Sequence, residues 1–235
     1  MWLSPPERRR FGCAKPAPIP QRKEAFACAK AMVINMIILT SNGLSSNKLL
    51  DMASQHIKGG RAALVVTADN EYKEKNYHVS RLTNELLSLG LSVECFDFDK
   101  QSPIELMSYD IVEMIGGNPY YLLDSIRKNR FFDALESFAN NKCIIGCSAG
   151  ALVLTPTLDL INMYSSEMNI VGLDDLSACN LTDIHILPHY SKFIKRYDGF
   201  EEKCLQFESA NNCKVIRLND GEGVIINNSY VNIIK

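Results

Sequence analysis

The stretch "KCIIGCSAGALVL", Lys142 to Leu154, decides how the chain is read. A strand-length apolar run, Cys143 to Ile145, meets five small residues, Gly146 to Gly150, and then a second apolar run. Larger side chains would bury more apolar surface at such a junction, so their absence needs a geometric reason. A sharp strand-to-helix turn supplies one. Gly146, Ser148 and Gly150 fit G-x-S-x-G, in which the serine stands on a strained corner and its neighbours two residues away come too close to other main chain to carry side chains.

Outward from this corner, apolar strand-length runs alternate with longer amphipathic segments, as in strands joined by helical crossovers. "MIILT" (36–40), "AALVVTA" (62–68), "LSVECFDF" (91–98), "DIVEMIGG" (110–117) and "KCIIG" (142–146) read as five strands. Helices are expected over 45–57, 75–89 and 120–140, the last broken near Asn129. The strands are apolar on both faces, which predicts a mostly parallel sheet covered on both sides, an α/β architecture. Residues 155–183 read as an irregular excursion, 183–190 as a strand ending at Pro188, and 191–208 as one helix. The C-terminus alternates like antiparallel strands, with turns at Asp220-Gly221 and Asn227-Asn228.

Residues 1–35 differ: they hold five of the nine prolines and Arg8-Arg9-Arg10 against only two acids, Glu7 and Glu24. This composition predicts a flexible basic extension, native or upstream of a start at Met36, ahead of one α/β domain over 36–235. Over 235 residues the formal charge is −2, too small for a broad nucleic-acid or membrane footprint. No apolar run approaches the length that spans a bilayer. The eight cysteines are scattered without metal-ligand spacing, which suits a reducing cytoplasm. Nothing asks for a metal or organic cofactor.

Ser148 is the candidate nucleophile, with Ala149 N–H at the start of the next helix as one oxyanion donor. Cys147 is out of phase, since a cysteine-centred motif would need glycines at Ile145 and Ala149. Gly116 and Gly117 close the fourth strand at the carboxyl edge where parallel sheets place ligands, and Gly117 N–H is the second candidate donor. Asn118 serves equally as a helix cap or a substrate contact. Among the four histidines, His56 and His78 read as solvated and His185 as a core or supporting residue. His189 enters a loop at a strand end, where catalytic groups project, and a serine needs such an imidazole. Asp220 is the preferred orienting acid, with Glu222 in the same "NDGEG" turn left open.

In this order, "GGN", "GCSAGA", "LPHY" and "LNDGEG" resemble the serine peptidases typified by dipeptidase E, with the cyanophycinases as relatives. The resemblance covers about Met36 to Lys235. It implies a class I glutamine-amidotransferase-like three-layer sandwich, with Ser148 as nucleophile, His189 as base and Asp220 as acid. Gly117 and Ala149 would be the oxyanion donors, the substrate a short peptide, and the activity that of a cytoplasmic exopeptidase. "GGNP" here, against the "GGDQ" usual in cyanophycinases, favours the dipeptidase side. Arg196 and Lys192 are the candidate basic residues for substrate, and helical faces could pair in a homodimer. Two other readings are an α/β-hydrolase-type esterase, in which the acid normally precedes the histidine, and a ligand-binding domain with an inert corner.

Overall fold

The computed structural model describes residues 35–227 and 230–235. The expected extension, save residue 35, and Asn228 of the last expected turn lie outside those residues. Strand β1 (Met36–Thr40), fully buried, is followed by α1 (Asn47–Ser54), capped by the Ser46 hydroxyl accepting from Leu49 N–H. Next come β2 (Gly60–Val65), α2 (Tyr77–Ser88), β3 (Leu91–Phe96), the one-turn α3 (Pro103–Leu106) and β4 (Ile111–Met114). α4 (Pro119–Lys128) and α5 (Phe132–Ala139) lead into β5 (Cys143–Cys147).

β1 to β5 form a parallel sheet in the order β3-β2-β4-β5-β1, continued antiparallel by β8 (Gly223–Asn227) and β9 (Tyr230–Ile234). This is the mostly parallel sandwich with a C-terminal hairpin that the pattern predicts. The alternation was legible because parallel strands covered on both faces must be apolar throughout. The break near Asn129 is also present: Arg130 adopts a left-handed φ of 58°, which ends α4 and turns buried Phe131 into the core.

Three expectations need correction. The excursion contains a helix, α7 (Asp159–Ser165), whose Leu160, Ile161 and Tyr164 are buried; two turns are too short for a 3.6-residue period to stand out. The single helix expected over 191–208 is two, α8 (Tyr190–Phe193) and α9 (Phe200–Asn211), parted at Gly199 with φ 65°. The third concerns β7 (Val215–Arg217), which pairs in parallel with β6 (His185–Leu187) in a separate two-stranded sheet rather than joining the antiparallel set. α9 is tied to that small sheet, for buried Glu208 accepts from Val215 N–H at 2.8 Å and from Arg217 at 2.6 Å.

One carboxyl group lies inside the main sheet. Glu113 of β4, in register between Leu64 and Ile145, is 0% exposed and neither side-chain oxygen has a hydrogen-bond partner among the described residues. Burial, then the charge of Glu85, pushes its pKa well above the ordinary 4.5. The group is neutral when folded and ionised when unfolded, so stability is lost as pH rises from about 4.5 toward the raised native value. Glu113→Met, of similar volume, is expected to gain about 1–3 kcal/mol at pH 8. The gain should shrink toward pH 5. Urea denaturation at the two pH values reads this, and a loss at both would contradict it.

Candidate active site

β5 delivers the chain to Ser148, whose backbone sits at φ 50°, ψ −109°, outside the regions open to ordinary side chains. Such a residue costs about 1–3 kcal/mol and persists only when its surroundings over-determine it. They do so here. Ser148 N–H donates to Thr40 O at 2.9 Å, and Ser148 O accepts from Ala151 and Leu152 N–H, both at 2.9 Å. A Cβ on Gly146 would stand 2.5 Å from Ala151 Cα, and one on Gly150 would stand 2.2 Å from Met114 O. The small residues are therefore those over which the corner folds against β4 and itself. The following helix, α6 (Ala149–Leu152), is a single turn, so individual amides at its start matter more than any macrodipole. Cys147 is buried, and burial pushes its thiol up to about 12.

His189 follows β6 and Pro188 in a left-handed conformation, φ 57° and ψ 29°, with its N–H donating to Ser41 Oγ at 2.9 Å. Its Nε2 lies 3.0 Å from Ser148 Oγ and its Nδ1 lies 2.6 Å from Asp220 Oδ1. With the proton on Nδ1 donated to Asp220, Nε2 is left to accept the serine proton. Asp220 also accepts from Ser41 Oγ at 3.0 Å and pairs through Oδ2 with Lys192 at 2.5 Å. Burial raises the Asp220 carboxyl, but hydrogen bonds from Lys192 and His189 outweigh it and hold the pKa below its ordinary value. Glu222, the alternative acid, turns back to accept from Asn219 N–H at 2.8 Å.

The turn carrying Asp220 is fastened to the loop after β1. Gly221 N–H donates to Asn42 Oδ1 at 2.8 Å, and Ser46 Oγ donates to Gly221 O at 2.7 Å. Ser41 and Asn42 were missed in the sequence. The available signal was "TSNG" directly after the first strand, at the sheet edge where ligands collect.

Gly117, at φ 149°, is pressed so closely on Ala68 O that a Cβ would stand 2.4 Å away. A Cβ on Gly116 would stand 3.2 Å from Ser148 Cβ, so this loop covers the serine. Gly117 and Ala149 N–H donate no hydrogen bond among the described residues. Asn118 is spent on structure: Oδ1 caps α4 by accepting from Tyr120 and Tyr121 N–H, and Nδ2 donates to Met168 O at 2.7 Å. Lys192 is held by Asp220.

Among the described residues two cavities meet at Ser148. One, of 230 Å³, runs over Ala149, Leu152, Glu167, Phe193 and Arg196. The other, of 240 Å³, is bounded by His189 itself together with Asn76, Tyr77, His78 and Arg81. His78, read as solvated, therefore faces the site. Burial, then the positive charge of Arg81, lowers its pKa and keeps it neutral near pH 7. His56 lies apart, 3.4 Å from Tyr230 OH, and His185 packs its ring on Phe207. Among the described residues no group of three or more His, Cys, Asp or Glu side chains is arranged to hold a metal, and no helix is long and apolar enough to cross a membrane.

The profile of peptidase family S51 matches residues 37–234. The chain belongs to that family. S51 membership makes it a serine-type peptidase, a hydrolase. It is 30% identical over 160 residues to an uncharacterized peptidase of Listeria monocytogenes, covering 66% of this chain and 78% of that one. To an uncharacterized peptidase of Pasteurella multocida it is 27% identical, covering 61% and 71%. A crystal structure from Listeria monocytogenes EGD-e, assigned as a peptidase E protein, superposes with a TM-score of 0.68 at 25% identity, covering 86% of this chain and 98% of that one. A peptidase from an acI-B1 Actinobacterium shares the fold, with a TM-score of 0.61 at 17% identity over 87% and 92% of the two chains. The order serine, histidine, acid differs from the α/β-hydrolase order, in which the acid precedes the histidine.

Proposed function

We propose that this S51 peptidase is an exopeptidase acting on short peptides through an acyl-enzyme on Ser148. The observation that carries the reading is the continuous chain of contacts Ser148 Oγ, His189 and Asp220, at 3.0 and 2.6 Å, opening on two residue-sized cavities. His189 Nε2 takes the proton as Ser148 Oγ bonds to the scissile carbonyl carbon, and the oxygen becomes an oxyanion held by Gly117 and Ala149 N–H. The C–N bond then breaks as Nε2–H passes its proton to the leaving nitrogen. Water, deprotonated by the same imidazole, attacks the ester, and collapse returns the serine hydroxyl and frees the acid.

Small cavities on both sides favour short peptides over protein chains. Arg196, at the edge of the 230 Å³ cavity, is the basic side chain available to the acyl residue; Asn118 contributes through its cap on the Gly117 loop rather than by contact. The test is a dipeptide library varied at the first residue, run on the native enzyme and on His189→Ala. Turnover confined to short peptides and abolished in the variant is expected; equal rates in both would sink the reading.

Asp220 orients the imidazole and steadies the imidazolium. Asp220→Asn is expected to lower kcat by about 10²–10⁴-fold with KM little changed, because the wrong tautomer is favoured at Nδ1. Steady-state kinetics check this, and a drop confined to KM would contradict it.

A further inference from the structure

We infer that Ser41 is a positioning residue for the reaction: its hydroxyl aligns His189 with Asp220, so that the imidazole meets Ser148 in the tautomer able to accept a proton. This rests on the acyl-enzyme reading above. Ser148, His189 and Asp220 come from three distant parts of the chain, yet Thr40 and Ser41, consecutive at the carboxyl end of β1, touch all three. Thr40 O accepts from Ser148 N–H at 2.9 Å, Ser41 Oγ accepts from His189 N–H at 2.9 Å, and the same Oγ donates to Asp220 Oδ1 at 3.0 Å.

The left-handed main chain of His189 is one that a residue with a side chain keeps only where its surroundings impose it. Its carbonyl accepts from Lys192 and Phe193 N–H of the following turn, and its N–H has Ser41 Oγ as acceptor. Ser41 is fully buried, and its own N–H donates to Glu222 O at 3.2 Å, which ties the hydroxyl to the turn that carries Asp220. Asp220 is also paired with Lys192, but that lysine side chain is 66% exposed, so water screens the pair as it does not screen the contact with Ser41.

A serine hydroxyl has one proton to give. The charged Asp220 Oδ1 draws that proton, and Nδ1 of His189, 3.4 Å from Ser41 Oγ, is left with the same carboxylate oxygen at 2.6 Å as its nearer partner. Were the Ser41 proton given to Nδ1 instead, the imidazole's own proton would sit on Nε2. Ser148 would then have no base. The bond from Ser41 to Asp220 thus keeps Nδ1 protonated and Nε2 open, while the bond from His189 N–H sets the ring where Nε2 reaches Ser148 Oγ at 3.0 Å.

The experiment measures kcat and KM, on the dipeptide that the native enzyme cleaves fastest, for Ser41→Ala, Asp220→Asn and the double variant, with thermal melting of each. Ser41→Ala is expected to lower kcat by about 10- to 100-fold, the worth of a hydrogen bond to a charged group, with KM little changed. Because Ser41 acts through Asp220 and His189, adding Ser41→Ala to Asp220→Asn should cost less than about 3-fold more, whereas independent losses would multiply. Should the alanine variant melt below the assay temperature, Ser41→Cys, which fills the place with a weaker donor and acceptor, is expected to show the same loss in a folded protein. Native kcat in a folded Ser41 variant, a loss that multiplies with that of Asp220→Asn, or failure of both Ser41 variants to fold would overturn the inference while leaving the serine mechanism standing. Hydrolysis that survives Ser148→Ala would instead remove the reading beneath it.

Discussion

Ser148→Ala is expected to lower kcat on every peptide the native enzyme cleaves by about 10⁴–10⁶-fold, because the other members of such a unit do little without the nucleophile. The loss should appear in kcat, with substrate binding retained. Folding should not suffer: among the described residues the Ser148 hydroxyl has one partner, His189 Nε2 at 3.0 Å, and the strained backbone is held by main-chain bonds to Thr40, Ala151 and Leu152 that alanine keeps. Thermal melting beside active-site titration separates a chemical loss from a structural one. The neighbouring thiol cannot stand in, because Cys147 is buried and its pKa is pushed up to about 12, so almost no thiolate exists near neutral pH.

Gly150→Ala should do the reverse and damage the fold before the chemistry. Its added methyl would meet Met114 O at 2.2 Å, a main-chain atom at the end of β4 that has no flexible end to swing aside. Forcing α6 away from β4 to relieve that contact is expected to cost about 3 kcal/mol or more. Residual activity should track the folded fraction. Chemical denaturation with circular dichroism reads the cost; a variant as stable as the native protein would mean the corner is not packed as described.

The two predictions divide the corner's residues by role, and the sequence displayed the corner itself. The strands were legible because burial on both faces leaves continuous apolar runs. Ser148 was legible because only a tight corner explains Gly146 and Gly150 flanking it. His189 stood out by its place after Pro188 at a strand end. α7 was not legible, being two turns long, and neither was the break between α8 and α9, because the apolar spacing runs on through Tyr197 and Phe200 across a turn made at Gly199. Arg81 was invisible for a different reason. It lies on an ordinary helix, and only the crossover order of the sheet brings it to the cavity at Ser148. The choice between Asp220 and Glu222 depends on side-chain direction within a single turn, which is set by Asn42 and Asn219 holding that turn from either side.

The family and the fold leave the covalent step as the central claim. Its most direct measurement is peptide mapping by mass spectrometry after acid quench of the enzyme turning over an activated ester of its acyl residue. A mass increase equal to that acyl group, on the peptide containing residues 143–154 and localised to Ser148, is the result expected. Acylation localised to Cys147 instead, with Ser148 unmodified, would contradict the account.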